Sequence, residues 1–595
     1  MDFTLGPWDY VIIVVIMLIS VSIGLFFRFT GSRQKSTDDF LMAGRNMTRF
    51  PVVFSLVATK LSGVLLIGEP ADTFLFGTQR CVALVFVFVG SLVAAYVFLP
   101  VFYAVQAQTI YVYLEMRFGK QTRHFISIVC FIQMLLYLPV TLYAPALALD
   151  ATTKLDLNTC FILMGVVSTS FSALGGMKAV MWADVFQLLC MFSCLLAVLA
   201  FSIQEAGGLG NVYGIAYEAG RLEFFNFDFD PTVRYTFWSS LAFGLQFGVM
   251  SICVNQSEMQ RAFAIKKLEN AQSAFLWSSV PSFLISVLTN TIGLVMFVIF
   301  RNCNPLSEKS GIGLGKGDQI VPYYIVSRMA GYPGLSGLCV GGILCGSIST
   351  MSSAVNAMST VVIDDFLKPN VSEKTASKIN FTFLAKLLVV GIGFVITCLP
   401  FLISFIKGVY EITTVLNATI LAPVFSIYLL GMLTSTANQE GIFIGLACGF
   451  ALTSWISVGS KMFGAPNRPT SLSTVGCPNS NLTSAFTFNE TITYPSRNYT
   501  MGGFEKVSSP STTFPLYNLS YLWIGFIGIT TTLITGYLAS FIISRFKKSS
   551  SVDPILLSPV SRLWIEHKDK IREQSLKQKT HDEKVQTEVT EESSL

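Results

Sequence analysis

The stretch Gly346-Ser-Ile-Ser-Thr-Met-Ser-Ser-Ala-Val-Asn356 lies inside an apolar segment running from about 335 to 363. Hydroxyl groups at membrane depth must be satisfied by the protein, because hydrocarbon offers them no hydrogen-bond partner. On a helix Gly346, Ser349, Thr350 and Ser353 fall at i, i+3, i+4 and i+7, so they share one face. Two adjacent hydroxyls and a carbonyl one turn earlier are hard, neutral oxygens of the kind an alkali cation takes. The same residues also suit close helix packing in a bilayer, since small and hydroxylated side chains let backbones approach. Both readings fit the patch taken alone.

Outward from it, the chain is built for a membrane. Of its 595 residues 52% are hydrophobic and only 13% charged, with a mean hydropathy of +0.60. Thirteen stretches suit a hydrocarbon core of roughly 30 Å: about 9–28, 50–73, 82–104, 124–148, 157–175, 182–203, 236–254, 276–301, 334–363, 383–406, 409–432, 440–458 and 520–544. This is the pattern of an all-α polytopic membrane protein. Basic residues gather in alternate connections: Arg28 to Arg49, Arg117 to Arg123, Lys178, Arg261 to Lys267, and Lys368 to Lys378. The positive-inside rule makes these cytoplasmic, which puts the N-terminus outside and the C-terminus inside.

The connection at about 459–519 is rich in Ser, Thr, Asn and Pro and carries four glycosylation sequons, at Asn481, Asn489, Asn498 and Asn518. The same orientation places it outside, where glycans are added; sequons at Asn46, Asn255 and Asn370 fall inside. Cys303 and Cys477 lie in polar connections on the outer side and form the candidate disulfide. The other cysteines sit singly in apolar segments, as buried free thiols do. The tail, 546–595, is polar and charged and is expected to be disordered. It ends Ser593-Ser594-Leu595, an end of the kind PDZ domains read. The three histidines form no cluster, and no Gly-x-x-x-x-Gly-Lys-Ser/Thr loop exists to drive a nucleotide-fuelled pump. The net charge of +5 is spread over the loops and implies no nucleic-acid partner.

The second span reads Pro51-Val-Val-Phe-Ser-Leu-Val-Ala-Thr-Lys60-Leu-Ser-Gly-Val-Leu-Leu-Ile-Gly-Glu69-Pro70-Ala-Asp72. Thr59, Lys60, Ser62 and Gly63 at its middle, with Gly68 and Pro70 beyond, suit an interrupted helix rather than a continuous one. In such helices freed carbonyls coordinate ions and half-helix ends face substrate. The break falls at the same expected depth as Ser349 and Thr350.

Further motifs follow in order: Gly175-Gly-Met-Lys-Ala-Val-Met-Trp-Ala-Asp184-Val-Phe-Gln187, Asn255-Gln-Ser-Glu-Met-Gln-Arg261, Asp318-Gln-Ile-Val-Pro322, Ser349 to Asn356 leading to Asp365 and Lys368-Pro369, and Pro423 before Leu430-Gly-Met432. With these, residues 1–545 resemble the sodium/solute symporter family, and are most similar to its iodide, monocarboxylate and multivitamin branch. The resemblance implies a LeuT-like core of two inverted five-helix repeats, about 50–203 and 236–432, with a substrate site between their broken first helices. It implies a sodium site made by the carbonyls of Ala58, Leu61 and Gly346 and the hydroxyls of Ser349 and Thr350. It also implies a plasma-membrane transporter, not an enzyme. That transporter would couple sodium to uptake of a small solute, an organic anion such as a monocarboxylate or vitamin, with no cofactor beyond the coupling ion.

Thr59, Lys60, Ser62 and Leu65 are the substrate-facing candidates on the broken span. Gln246 on the seventh span either joins them or bonds a neighbouring helix. Lys60 departs from the family, which has an uncharged residue there. A lysine at bilayer centre must be paired, wet or deprotonated. It either replaces sodium as a tethered cation, meets a carboxylate substrate, or is neutralised by Glu69 or Asp72. Roughly nine residues of helix, about 13 Å, separate Lys60 from Glu69. The first option would make a sodium-independent facilitator, and a non-transporting sensor or scaffold is the reading from another class. Asp184 and Arg261 read as gating or structural contacts at tight corners.

Overall fold

A bilayer offers the backbone no partner, so each apolar run must satisfy its own amides as a helix. In the computed structural model this gives, in chain order, α1 (Pro7–Thr30), α2 (Thr37–Met42), α3 (Arg49–Lys60), α4 (Gly63–Phe76), α5 (Gln79–Val105), α6 (Tyr111–Phe118), α7 (Lys120–Thr152), α8 (Leu157–Glu205) and α9 (Leu209–Glu218). There follow α10 (Phe237–Cys253), α11 (Gln256–Phe263), α12 (Leu268–Phe300), α13 (Ile320–Arg328), α14 (Leu335–Val361), α15 (Phe381–Cys398), α16 (Val409–Leu433), α17 (Gln439–Phe463), α18 (Tyr521–Phe546) and α19 (559–568). The structure describes residues 5–30, 36–105, 108–153, 155–307, 310, 312, 314–372, 374, 378–402, 408–464, 472–474, 476–477, 514–547, 552–568, 570–571 and 574–575.

Among the described residues ten helices are long and apolar enough to cross a membrane. Two bent pairs, α3 with α4 (51°) and α10 with α11 (55°), make twelve. The thirteenth segment is hidden in α8. Its 49 residues would span about 73 Å as one rod, more than twice the hydrocarbon core. Gly176 breaks it, at φ 63° and ψ −171°. A side chain there would strike Phe40, whose carbonyl oxygen lies 2.8 Å from where a Cβ would stand. Only glycine accepts both that backbone conformation and that contact.

α14 is the axis of the bundle. Within its most apolar window 94% of residues are buried, against 22% for α1 at the rim. It packs on α8, α7 and α1, while α16, α17 and α18 pack on one another to one side. A disulfide joins Cys303, after α12, to Cys477, before α18. Asn518 ends a short 3-10 turn, Pro515–Asn518; Asn481, Asn489, Asn498 and the Ser593-Ser594-Leu595 end lie outside the described residues.

The tail departs from the expected disorder. Pro554–Leu556 form a 3-10 turn, and Leu556, Leu557 and Ser558 are buried. The Tyr113 hydroxyl donates to the Leu556 carbonyl (3.1 Å), and the Ser558 amide donates to the Met432 carbonyl (2.8 Å). The four residues Pro554-Ile-Leu-Leu557 are too few to show periodicity, yet they are enough to anchor a segment against α6 and α16.

Candidate functional site

α3 ends at Lys60, where Leu61 (φ −85°, ψ 73°) leaves the helix and Ser62 turns extended to start α4. A helix end leaves its last carbonyls outside the ladder, Ala58 among them. α14 closes on this break at Gly346. A Cβ there would stand 2.9 Å from the Gly63 nitrogen and 3.2 Å from the Leu61 carbonyl oxygen. The absence of a side chain is what brings the two elements together. Thr350 Oγ1 donates to the Gly346 carbonyl (2.9 Å), and Ser349 Oγ donates to Asp184 Oδ1 (2.7 Å). With both hydroxyl protons engaged, the oxygens have lone pairs left to offer, which suits a hard cation.

Behind the patch lies a buried ionic knot. Asp184 of α8 and Arg261 of α11 are fully buried and 3.0 Å apart. Ser55 Oγ of α3 donates to Asp184 Oδ2 (2.5 Å), while Arg261 donates to Ser55 Oγ (2.6 Å), to the Ser257 carbonyl (2.7 Å) and to Ser353 Oγ of α14. Four elements are tied through one guanidinium, whose fork of donors makes this geometry available. Sequence reading placed both residues at corners and missed that they meet under the hydroxyl patch. The available signal was charge itself, since ionisable residues inside spans mark functional paths.

A cavity of about 250 Å³ runs between the two bent pairs. Thr59, Lys60, Ser62 and Leu65 line it, and Thr350 borders it from α14. The Lys60 side chain is 18% exposed, and its ammonium stands 4.0 Å from Glu258 Oε2 of α11, too long for a hydrogen bond. Glu258 Oε2 has no hydrogen-bond partner among the described residues.

Glu69 and Asp72 are therefore not the partners of Lys60. Glu69 pairs with Arg80 (2.9 Å) and accepts from Thr289 (2.7 Å). Asp72 meets Arg80 (3.4 Å) and Arg234 (3.2 Å) and accepts from the Tyr235 hydroxyl (2.7 Å). Glu69 and Arg80 line one end of the cavity, where the Arg80 guanidinium lies over the Tyr410 ring at 4.3 Å, and Asp72, Arg234 and Tyr235 back them without lining it. The rise of α4 carries both carboxylates away from Lys60, toward Arg80 in the turn that follows α4 and Arg234 just before α10. Gln246 also lies elsewhere: it does not line the cavity but packs against Gly525 of α18, where a Cβ would clash at 2.2 Å.

A model of the Sodium:solute symporter family matches residues 40–449. The chain belongs to that family. This symporter is 34% identical over 550 residues to a putative sodium-dependent multivitamin transporter of Drosophila melanogaster, covering 91% of this chain and 88% of that one. It is 33% identical to sodium-coupled monocarboxylate transporter 1 of Homo sapiens, covering 93% and 89%. Its fold matches that of a Na+-coupled sialic acid symporter solved substrate-bound and outward-open, with a TM-score of 0.72 at 17% identity over 93% of this chain and all of that one. Mhp1, a nucleobase-cation-symport-1 family transporter, shares the fold at a TM-score of 0.51 and 12% identity, covering 87% and 96%. The protein is thus a multi-pass, sodium-coupled carrier of a small solute, not an enzyme.

Proposed function

We propose that the symporter takes up a small organic anion, of the monocarboxylate or vitamin class, whose carboxylate is held in the cavity by Lys60. The observation that carries this reading is an ammonium that lines the cavity and that its ion-pair partner, Glu258 at 4.0 Å, meets without a hydrogen bond. A charge-assisted bond to a substrate carboxylate would satisfy that ammonium in a setting of low dielectric. Sodium is held by the carbonyls of Ala58, Leu61 and Gly346 and the hydroxyls of Ser349 and Thr350, so it bridges α14 to the break beside the substrate. Bound there, it stabilises the conformation that accepts substrate, and the inward sodium gradient drives the cycle between faces. The position of Lys60 beside Glu258 argues against its standing among those oxygens as a tethered ion, so nothing favours the sodium-independent reading. The protein works in the plasma membrane with its N-terminus outside, its C-terminus inside and glycans on the connection before α18. Ser593 to Leu595 offers an end for a PDZ domain.

The test separates ion from substrate. Purified protein is heated in sodium chloride and in choline chloride, and uptake of labelled lactate, nicotinate and biotin is followed in cells. An ion at roughly tenfold its Kd stabilises the folded state by about 1.4 kcal/mol. Ser349→Ala should abolish the sodium-specific shift. Lys60→Gln should keep that shift yet lower anion uptake about 10- to 100-fold, the loss of one charge-assisted hydrogen bond. Unaltered anion uptake by Lys60→Gln would overturn the assignment of Lys60.

A further inference from the structure

The transport reading leaves α19 unused, and this helix carries a stripe of large apolar side chains that the described residues leave exposed. Val560, Leu563, Trp564 and Ile571 are each at least half exposed. With 3.6 residues per turn these positions fall within about 100° of arc, and the exposed His567 falls inside the same arc, so one imidazole interrupts the apolar stripe. Ser558 and Ser561, on the other side, are buried, and Ser561 Oγ donates to the Leu433 carbonyl (3.3 Å). The helix is held by one face and displays the other.

Two further observations say what meets the displayed face. The first is position. α19 hangs from the carbonyls of Met432 and Leu433, the last residues of the membrane-crossing α16, and Leu433 is itself exposed. α18 ends at the same stretch of chain, with Phe546 89% exposed, so the helix begins at the rim of the apolar belt. The second is charge. Lys568 and Lys570 fall on opposite edges of the stripe. Lys568 Nζ stands 5.3 Å from the centre of the Trp564 ring, its stem lying along the apolar side chain. An apolar stripe with tryptophan, bordered by lysines, is the composition of a helix that lies in a membrane interface. Arg562 is not part of this edge, because it donates to the Leu557 and Ile555 carbonyls and fixes the start of the helix.

We propose that α19, with Lys570 and Ile571 beyond it, forms an interfacial clamp that binds the anionic lipid headgroups of the leaflet at the α16 and α18 end. Val560, Leu563, Trp564 and Ile571 enter the boundary between headgroups and acyl chains, and Lys568 and Lys570 meet lipid phosphates and carboxylates. The clamp ties the end of α16 to the bilayer through the Ser558 and Ser561 contacts.

The experiment is backbone hydrogen exchange on the full chain in three settings: phosphatidylcholine nanodiscs, nanodiscs with phosphatidylserine added, and detergent. Amides of 560–571 should exchange about tenfold more slowly with phosphatidylserine than with phosphatidylcholine alone, given the contribution of each lysine near an anionic surface. Leu563→Glu with Trp564→Glu should remove that protection without changing exchange in α14. Lys568→Glu with Lys570→Glu should remove the difference between the two lipids. Equal exchange in all three settings would overturn the proposal. So would protection in detergent that grows with protein concentration, which would identify a second copy as the occupant.

Discussion

Asp184→Asn tests whether the buried knot organises the ion patch. Asp184 and Arg261 are both fully buried, and the carboxylate also accepts from Ser55 and Ser349. Removing its charge leaves a fully buried guanidinium without its ion-pair partner. Breaking such a pair costs about 3–5 kcal/mol, whereas replacing both members with neutral groups costs far less. Asp184→Asn and Arg261→Met should each lower the thermal midpoint of the purified protein strongly. The double substitution should recover about 2 kcal/mol or more of the summed loss, because the two groups share one interaction. The sodium response adds a second readout. Asp184→Asn removes the charged acceptor that holds the Ser349 proton, so it should weaken the sodium-specific shift. Arg261→Met leaves that acceptor in place and should keep more of it. Two results would refute the reasoning: an Asp184→Asn protein that melts with wild type, or losses that simply add.

Gly346→Ala should lower sodium affinity at least as far as Thr350→Ala, since its Cβ would press within 3.2 Å of the Leu61 carbonyl oxygen and force α14 off the break; sodium titration of thermal stability reads this. Cys303→Ser should lower the thermal midpoint by the equivalent of about 2–4 kcal/mol, because the bridge closes residues 174 apart; mass mapping without reductant checks the bond. Tyr235→Phe removes a hydroxyl that donates to the buried Asp72, a bond to a charged group worth about 1.5–3 kcal/mol, and should speed opening of that end of the cavity, read by accessibility to thiol reagents of a cysteine placed at Thr413.

Much of the architecture was legible because bilayer physics is local. Apolar length sets each span, and Gly63, Gly68 and Pro70 mark a helix that does not run straight. The hydroxyl face of α14 could be read because 3.6-residue periodicity puts Gly346, Ser349 and Thr350 on one side whatever surrounds them. The partners of charged groups were not legible. Lys60 and Glu69 share a span, so proximity in sequence suggested a pair, yet the helix rise separates them and the bend at Val254–Asn255 delivers Glu258 instead. Asp184 and Arg261 read as corner residues because a strand of sequence carries no record of which helix will lie across it. The docking of Leu556 and Leu557 was equally silent, since a four-residue apolar anchor has no period. Periodicity and span length are properties of one segment and survive in sequence; ion pairing depends on where distant segments cross, which only packing decides.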